Sequence, residues 1–378
     1  MPDRIVEVTA LAAGGDGVAR DEGRVTFVPR TAPGDRVRVR LVKETKSFAR
    51  AELVEIVAAS LDRIVPPCPH FVAGCGGCSW QHVARPAQLA AKQQLVANAL
   101  RKLDVVVEPI ADPCPPYGWR RRARFHVTGG KLGLYREGTH DLVPIEHCPQ
   151  LEPPLDAALR AISTPPDGEL VMLVGAGIVI GTEKPWKGAA ALVGKAGIVG
   201  VVAGETSYGK TRIAVEPGLV GGPWDFAQAS TAGNAALIEL ARRAVGPASG
   251  PMLELHAGAG NLTRGFRADG WTVTTADIVP GSDIVGSADE VLARAEGPFD
   301  VIVLDPPRTG ALEAVPGILR HAPGTVVYVS CDPATLARDA DKLVAGGYRA
   351  ERAWPLDLMP QTAHVEVVLR LTRTAAAT

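Results

Sequence analysis

The sequence predicts an α/β protein built from three parts: a small β-barrel, a β-rich central region and a doubly wound parallel sheet. The barrel is indicated by short β-like runs that alternate with Gly, Pro and Asp turns between Arg4 and Val57. The parallel sheet is indicated by apolar strands that alternate with helical stretches after Gly250. A chain of 378 residues also exceeds what a single hydrophobic core usually organises.

The N-terminal segment carries a basic stripe on one of its predicted strands. The β-like runs of this segment are Ile5–Val8, Arg24–Val28 and Val37–Val42. Arg36, Arg38 and Arg40 alternate along the third run and therefore fall on one face of the strand. Such a stripe either follows a phosphate backbone or is a solvated strand face, and the sequence leaves both interpretations open.

The middle of the chain predicts one helix followed by an antiparallel sheet. Leu89, Val96 and Leu103 recur at helical spacing within 86–103, which predicts a helix with a polar outer face. Short β-like runs follow from Trp119 to Ile213, and the longest apolar stretch, 170–181, is interpreted as a buried strand pair. The densest basic run consists of Arg120, Arg121, Arg122 and Arg124. It is either an RNA-facing patch or an exposed strand.

Composition narrows the class of protein and its location. The formal net charge is −1, so the chain lacks the uniformly basic character of many nucleic-acid binders, and RNA contact must come from local patches. The N-terminus lacks the pattern of a signal peptide, and the longest apolar run is too short to span a bilayer. We therefore expect a cytoplasmic protein without membrane contact. Six cysteines in such a chain indicate metal binding or catalysis rather than disulfides.

A candidate cofactor site lies at one edge of the predicted parallel sheet. Its strands are Pro251–Leu255, Thr272–Thr275, Val301–Leu304 and Thr325–Val329. The turn after the first strand, up to Asn261, contains Gly258 and Gly260, which let the backbone approach a ligand closely. Asp277 ends the second strand, where a carboxylate can hold ribose hydroxyls, and Asp305 ends the third. The alternative is a simple tight turn.

Cys331 is the candidate nucleophile because it stands where a strand ends and a helix begins. Asp332 is a suitable N-cap for that helix and Pro333 a suitable first residue. The helix N-terminus is expected to lower the pKa of the thiol, while the neighbouring Asp332 opposes this, and the sequence leaves the balance open. Glu366 is the late carboxylate in a suitable setting for a general base. The alternative is a buried apolar cysteine and a solvated glutamate.

These residues resemble the RNA uracil-5 methyltransferases over nearly the whole chain. The most specific motifs are Leu304–Arg308, Tyr328–Asp339 and Asp357–Glu366. The resemblance implies a Rossmann-like domain that uses S-adenosylmethionine, an OB-like TRAM β-barrel at the N-terminus and a β-rich central iron-sulfur domain. It also implies that the Cys331 thiolate adds to carbon 6 of uracil and that Glu366 later removes the proton from carbon 5.

The resemblance also implies a set of cofactor contacts. Phe226 to Gln228 looks like the Phe-x-Gln signature of the family, and His256 stands where the family usually has Phe or Tyr. Between Asp277 and Asp305 the chain is shorter than the family pattern, so the next cofactor residue is either Ser287 or Asp289. The implied contacts are Gln228, His256, Gly258, Gly260, Asn261, Asp277, Ser287 and Asp305.

Four further cysteines form a candidate metal site. Cys68, Cys75 and Cys78 lie close together in sequence, and Cys148 is a remote fourth thiol. Four cysteines suit either structural zinc or an iron-sulfur cluster, and their spacing alone does not decide between the two. The resemblance implies a 4Fe-4S cluster.

The predicted function is the formation of 5-methyluridine in RNA, with 23S rRNA as the expected substrate. We expect a monomer that contacts RNA but neither DNA nor membrane. The predicted parts are residues 1–59 for the barrel, 60–85 with 110–215 for the central domain, and 86–109 with 216–378 for the methyltransferase domain. The alternatives are a tRNA uridine-5 or RNA cytosine-5 methyltransferase, or a non-catalytic RNA-binding or ribosome-assembly protein.

Overall fold

The computed structural model describes residues 3–21 and 23–374, which begin with a closed five-stranded barrel. Its strands are β1 (Arg4–Leu11), β2 (Gly17–Asp21), β3 (Arg24–Val28), β4 (Arg36–Glu44) and β5 (Phe48–Ala58). The order is β1-β2-β3-β5-β4, and the barrel closes because β1 pairs with β4. Val8, Val37 and Val39 are fully buried in its interior. The predicted N-terminal barrel is confirmed.

The basic stripe lies on the outer face of β4, as its alternation predicts. Ion pairs neutralise part of it: Nε of Arg38 lies 3.1 Å from Glu55, and Nε of Arg40 lies 3.2 Å from Asp3. Paired arginines on a wet surface have less charge to offer a phosphate. Of the two interpretations of the stripe, these contacts favour the solvated strand face.

Two helices follow the barrel, α1 (Pro69–Val72) and α2 (Arg85–Leu100), and then the short strand β6 (Val106–Val107). The predicted helix exists but ends three residues before Leu103. Its inner face is more polar than expected, because Gln88 and Lys92 are fully buried beside Val96. Both contact the C-terminal part of the chain, since Lys92 Nζ lies 2.6 Å from Asp357 and Gln88 donates to Gln361 at 2.9 Å.

The buried carboxylate of Asp357 is expected to matter more for stability than its location in a loop would indicate. Arg85 and Lys92 both contact it, and burial lowers the pKa of Lys92 to about 8 although the carboxylate opposes this. Removing one member of a buried ion pair typically costs about 3–5 kcal/mol. We expect Asp357→Asn to lower the free energy of unfolding, measured by urea denaturation, by an amount in that range, while the exposed control Lys102→Met leaves it unchanged. An unchanged free energy of unfolding for Asp357→Asn would contradict the prediction.

The central region is a seven-stranded sheet covered by helix α3 (Pro153–Arg160). Its strands are β7 (Arg122–Thr128), β8 (Lys131–Tyr135), β9 (Leu142–Pro144), β10 (Gly168–Gly175), β11 (Gly177–Thr182), β12 (Ile198–Ala203) and β13 (Thr206–Gly209). The predicted buried strand pair is the hairpin β10–β11. The sheet is antiparallel except for β11 and β12, which run parallel because the long connection 183–197 returns the chain in the same direction.

The basic run at the start of β7 is not a uniform RNA-facing patch, and that interpretation is wrong for Arg121. Arg121 is 1% exposed and contacts Glu216. Arg120 lines an internal cavity, and Arg124 is ion-paired with Glu169 at 2.8 Å. Consecutive residues of an extended segment point in opposite directions, so a run of arginines distributes its charges to both faces.

The last sheet has eight strands in the order β18-β17-β16-β19-β20-β22-β21-β6. It follows a small hairpin, β14 (Ile213–Glu216) and β15 (Leu219–Gly221), and helix α4 (Thr231–Val245). Its remaining strands are β16 (Pro251–Leu255), β17 (Thr272–Asp277), β18 (Ile284–Val285), β19 (Val301–Leu304), β20 (Thr325–Ser330), β21 (Tyr348–Leu356) and β22 (Glu366–Arg373). The helices between them are α5 (Thr263–Ala268), α6 (Ala288–Arg294), α7 (Val315–His321) and α8 (Pro333–Ala345).

The predicted parallel strands are confirmed. Strands β16, β17, β18, β19 and β20 all pair in parallel with their neighbours among these five. Strand β22 runs antiparallel to both β20 and β21. The segment between Asp277 and Asp305, short as it is, still supplies strand β18 and helix α6. Within the described ranges, every helix is too short or too polar to cross a membrane.

Candidate active site

Sheet register places Cys331 beside Glu366. Ser330, the last residue of β20, pairs with Val367 of the antiparallel strand β22. Continuing this register by one residue sets Cys331 opposite Glu366, which is 5% exposed. A thiol and a carboxyl that are remote in sequence thus meet at one edge of the sheet, next to the end of the parallel strand β19.

The helix after Cys331 begins as predicted. The carboxylate of Asp332 accepts hydrogen bonds from the backbone amides of Ala334 at 2.9 Å and Thr335 at 3.1 Å, and Pro333 is the first helical residue. The cap occupies amide donors of the first turn, so less of the helix terminus is left to stabilise a thiolate.

The pKa of the Cys331 thiol is raised to about 11, mainly by burial and further by the neighbouring Glu366 and Asp305 carboxyls. The balance that the sequence left open therefore falls on the side of a raised pKa. Arg308 acts in the opposite direction, through its charge and a side-chain hydrogen bond to the thiol. The negative charges that raise the pKa of Cys331 belong to Glu366 and Asp305, which are distant in sequence, rather than to the adjacent Asp332.

Arg308 is held next to the thiol by His364. One guanidinium nitrogen of Arg308 lies 3.0 Å from each ring nitrogen of His364. Burial lowers the pKa of His364 to about 4, and the positive charges of Arg308 and Lys92 lower it further, so the ring is neutral near pH 7. A neutral ring leaves Arg308 as the positive charge that faces Cys331.

Two carboxyls near the Cys331 thiol, those of Asp305 and Glu366, have raised pKa values. Burial raises the pKa of Asp305 to about 6. Burial, and then the nearby Asp305, raise the pKa of Glu366 well above its ordinary value, and Arg308 offsets part of this. A carboxyl with a raised pKa is a stronger base when it is ionised, which suits proton abstraction from carbon.

The predicted cofactor residues of β16 and β17 come together at the carboxyl ends of the strands. The backbone amide of Gly258 donates to the Asp277 carboxylate at 2.8 Å. His256, Gly258 and Gly260 all have positive φ, which the glycines adopt without strain and His256 does not. Nε2 of His256 is buried and has no hydrogen-bond partner in the described part of the chain.

Ser287 is the N-cap of α6 and lies close to Asp277. The amide of the preceding residue, Gly286, donates to the Asp277 carbonyl at 3.0 Å. The Ser287 hydroxyl donates to Asp289 at 2.6 Å, so both candidates for this position stand together. Gln228 lies on the segment that leads into α4, and Asn261 lies in the turn after β16.

Glu254 is a buried carboxyl to which the sequence motifs assigned no role. It is 2% exposed beneath the glycine turn and accepts a hydrogen bond from Thr263 at 2.6 Å. Burial raises its pKa to about 7, although the Thr263 hydroxyl opposes this. An acidic residue within an otherwise apolar buried strand is the sequence signal that marks it.

Four cysteines line one cavity of about 130 Å³ in the central region: Cys68, Cys75, Cys78 and Cys148. Gln150 and Arg120 also line it, and both polar atoms of the Gln150 amide are buried without a hydrogen-bond partner among the described residues. Burial raises the pKa of Cys78 to about 12 and that of Cys148 to about 11. Clustered thiols and a buried amide without a partner are groups that a polar or metallic ligand would satisfy.

The thiols do not converge on a single point. Within residues 3–21 and 23–374, no three His, Cys, Asp or Glu side chains are close enough to hold one metal ion. A structural zinc needs four ligands at about 2.3 Å from a common centre, whereas a multinuclear cluster needs thiols distributed around a larger volume. Both kinds of site would use the same four thiols, which line one cavity.

Together, a parallel sheet with a glycine-rich edge and a cysteine–glutamate pair at the same edge define an α/β protein of the Rossmann-like class. Family models match a TRAM domain at residues 4–54 and a tRNA (uracil-5-)-methyltransferase at residues 292–374. A 23S rRNA (uracil(1939)-C(5))-methyltransferase RlmD of Edwardsiella ictaluri is 32% identical, covering 96% of this chain and 94% of the relative. The chain belongs to the RNA uracil-5 methyltransferase family.

Other similarities agree with this membership. The protein of the same description from Pseudomonas entomophila is 33% identical, covering 96% of this chain and 92% of the relative. The tRNA (uracil-54, C5)-methyltransferase of Pyrococcus abyssi, solved with S-adenosyl-L-homocysteine, has a TM-score of 0.77 and covers 97% of this chain and 99% of its own. Because the two sequences are only 23% identical, this likeness shows a shared fold and no more.

Proposed function

We propose that this protein forms 5-methyluridine in 23S rRNA in the cytoplasm, with S-adenosylmethionine as methyl donor, Cys331 as nucleophile and Glu366 as base. The observation that carries the proposal is the register that sets Cys331 opposite Glu366, beside the glycine-rich edge of a parallel sheet. Family membership supplies the reaction class, and the named relatives favour 23S rRNA over tRNA as the substrate.

The chemistry requires a covalent step because carbon 5 of uracil is a poor nucleophile. The Cys331 thiolate adds to carbon 6, and the electron pair of the C5–C6 double bond moves toward the ring carbonyl. When bound, S-adenosylmethionine supplies an electrophilic methyl group to carbon 5. Glu366 then removes the carbon 5 proton, the double bond re-forms, and the bond between sulfur and carbon 6 breaks. The target uridine must leave its stack to reach both groups.

The raised pKa of Cys331 has a measurable consequence. Below a pKa of about 11, the thiolate fraction rises about tenfold for each pH unit, since the neutral thiol predominates. We expect the rate of iodoacetamide alkylation at Cys331, followed by peptide mass spectrometry, to keep rising between pH 7 and pH 9 in RNA-free protein. A plateau below pH 8 would contradict the raised pKa.

The reaction is tested by mapping 5-methyluridine in rRNA and tRNA from cells with and without the gene. We expect one 5-methyluridine to disappear from 23S rRNA and to return when the intact gene, but not a Cys331→Ala variant, is restored. Loss from tRNA instead would move the substrate to tRNA, and unchanged rRNA and tRNA would support the non-catalytic alternative. Loss of a 5-methylcytidine would indicate the cytosine-5 alternative.

A 4Fe-4S cluster is the proposed occupant of the thiol cavity, with Cys68, Cys75, Cys78 and Cys148 as its ligands. The four thiols that line one cavity and the unpartnered Gln150 amide support a polar or metallic occupant, and the family resemblance favours a cluster over zinc. Because the methyl transfer has no redox step, the role proposed for the cluster is to hold the central sheet in the shape that binds RNA. Visible absorption and iron content in anaerobically purified protein test it, and a colourless protein with stoichiometric zinc would overturn it.

The side-chain amide of Gln150 lines the same cavity and would donate a hydrogen bond to a sulfur of the cluster, which gives a second test. Hydrogen bonds to cluster sulfurs raise the reduction potential, and one such bond of about 1 kcal/mol corresponds to roughly 40 mV for one electron. We expect Gln150→Leu to lower the midpoint potential by about that amount in an EPR-monitored titration, with iron content unchanged. The exposed control Gln94→Leu should leave the potential as it is. An unchanged potential in Gln150→Leu would contradict the proposed hydrogen bond.

The parts of the chain have distinct proposed roles. We assign RNA contact to the barrel of residues 1–59, cluster binding to residues 60–85 with 110–215, and methyl transfer to residues 86–109 with 216–378. We also propose that the protein acts as a monomer, which light scattering on the purified protein tests directly. The proposed donor contacts are Gln228, His256, Gly258, Gly260, Asn261, Asp277, Ser287 and Asp305.

A further inference from the structure

Glu216, at the end of β14, is the centre of a polar network that the known motifs leave out. Its side chain is 12% exposed. One carboxylate oxygen lies 2.5 Å from Nη2 of Arg121 and accepts a hydrogen bond from Asn234 at 2.9 Å. The other oxygen is ion-paired with Arg264. One carboxylate thus joins residues from the central region, from α4 and from the segment that begins α5.

The first arm of this network reaches the backbone beside Gln228. Arg121 is 1% exposed, and its Nε donates to the carbonyl of Gln228 at 2.8 Å. Its backbone amide donates to the carbonyl of the next residue, Ala229, at 2.8 Å. Two bonds to consecutive carbonyls fix the course of the segment that presents the Gln228 side chain. Glu216 sets the orientation of the guanidinium that makes one of them.

The second arm reaches Asn261 in the glycine-rich turn. Nδ2 of Asn234 donates to Oδ1 of Asn261 at 2.8 Å, and Nδ2 of Asn261 donates to Oδ1 of Asn234 at 2.8 Å. Asn234 also donates to Glu216, which fixes the orientation of its amide. Arg264 strengthens this arm, because its Nε donates to the Asn261 carbonyl at 3.2 Å.

The charges of the network depend on Glu216. Burial opposes ionisation of Glu216, but hydrogen bonds from Arg264 and Asn234 and the charge of Arg121 lower its pKa below the ordinary value. The carboxylate is therefore ionised at neutral pH. Without it, the buried guanidinium of Arg121 would lose its ion-pair partner, and buried unpaired charge is strongly unfavourable.

We propose that Glu216 is a positioning residue for the methyl-donor pocket, holding Gln228 through Arg121 and Asn261 through Asn234. The inference rests on the proposed function, because Gln228 and Asn261 are donor contacts by family motif. In this proposal Glu216 acts through Arg121 and Asn234 and contacts neither RNA nor the reacting atoms directly. It acts on both sides of the pocket at once, so its loss should affect donor affinity more than the chemical step.

The test compares Glu216→Gln and Glu216→Ala with Glu351→Gln. Glu351 on β21 is a matched control, since its carboxylate is also shared by two arginines, Arg349 at 2.7 Å on the same strand and Arg370 at 3.1 Å on β22. The readouts are the dissociation constant of S-adenosylhomocysteine by calorimetry, the KM for S-adenosylmethionine, kcat and the thermal midpoint. We expect Glu216→Gln to weaken binding about tenfold and Glu216→Ala more, with kcat at saturating donor changed less than twofold.

A second variant separates positioning from folding. Asn234→Ala removes the arm to Asn261 and leaves the ion pair of Arg121 with Glu216. We expect it to weaken donor binding by itself, and to have a smaller effect when Glu216→Gln is already present, because the two residues act in series. If Glu216→Ala fails to fold, this pair of variants still decides the question.

Three outcomes are informative. If the wild-type protein binds no S-adenosylhomocysteine, the proposed function itself fails. If the wild type binds it and Glu216→Gln and Asn234→Ala bind it equally well, the positioning role is overturned while the function stands. If donor affinity falls only in proportion to the thermal midpoint, and Glu351→Gln does the same, Glu216 is a general structural residue and the inference is also overturned.

Discussion

Replacing Cys331 by alanine is expected to abolish methyl transfer, reducing the turnover number by a factor of roughly 10⁴ or more. The reason is chemical: without a thiolate at carbon 6, carbon 5 of uracil does not become nucleophilic. The same variant should form no covalent complex with RNA that carries 5-fluorouridine at the target position. The complex is measured as a band that survives denaturing electrophoresis, because fluorine at carbon 5 prevents the release step.

The control for this experiment is another buried thiol. Cys114 lies outside the thiol cavity, with its sulfur 3.0 Å from the Ser230 hydroxyl. Cys114→Ala should trap 5-fluorouridine RNA as wild type does. Equal trapping by Cys331→Ala and wild type would show that another residue attacks the ring, and the register argument for Cys331 would then be wrong.

Glu366→Gln is expected to stop the reaction after methylation rather than before it. The amide cannot take the carbon 5 proton, so the bond between Cys331 and carbon 6 cannot break. Turnover should fall by about 10²–10⁴, the usual contribution of a general base. Labelled methyl groups should then accumulate in a complex of protein and RNA that resists denaturation, at no more than one label for each protein molecule.

An exposed carboxylate provides the comparison for Glu366. Glu239 lies on α4 with 71% of its side chain exposed. Glu239→Gln should release methylated RNA at the wild-type rate. Free methylated RNA at an undiminished rate from Glu366→Gln would assign the base to another group, and the buried Asp305 would become the next candidate to substitute.

Local patterns predict much of this fold because they depend on neighbouring residues. The parallel strands follow from continuous apolar runs, and the start of α8 follows from Asp332 and Pro333. The pairing of Cys331 with Glu366 could be named only by family resemblance. Its geometric basis is the antiparallel insertion of β22 beside β20, and strand order is not a property of any local window.

The features that local sequence reasoning did not reach share a physical cause. The pKa of Cys331 depends on Glu366, Asp305 and Arg308, which reach it from other strands. The burial of Lys92 likewise depends on a residue remote in sequence, Asp357. Helical periodicity assumes that buried positions are apolar, and it fails when a distant charge compensates burial.

The contact between Lys92 and Asp357 also constrains how the chain can be made. The two residues are 265 positions apart, so α2 leaves the ribosome long before its partner is synthesised. During that interval Lys92 lacks the carboxylate that it contacts in the folded chain, and Gln88 lacks its contact with Gln361. The catalytic edge is consequently the last region to close, and a nascent or proteolysed chain that ends before Asp357 cannot complete it. Premature termination therefore yields an inactive protein rather than a partly active one.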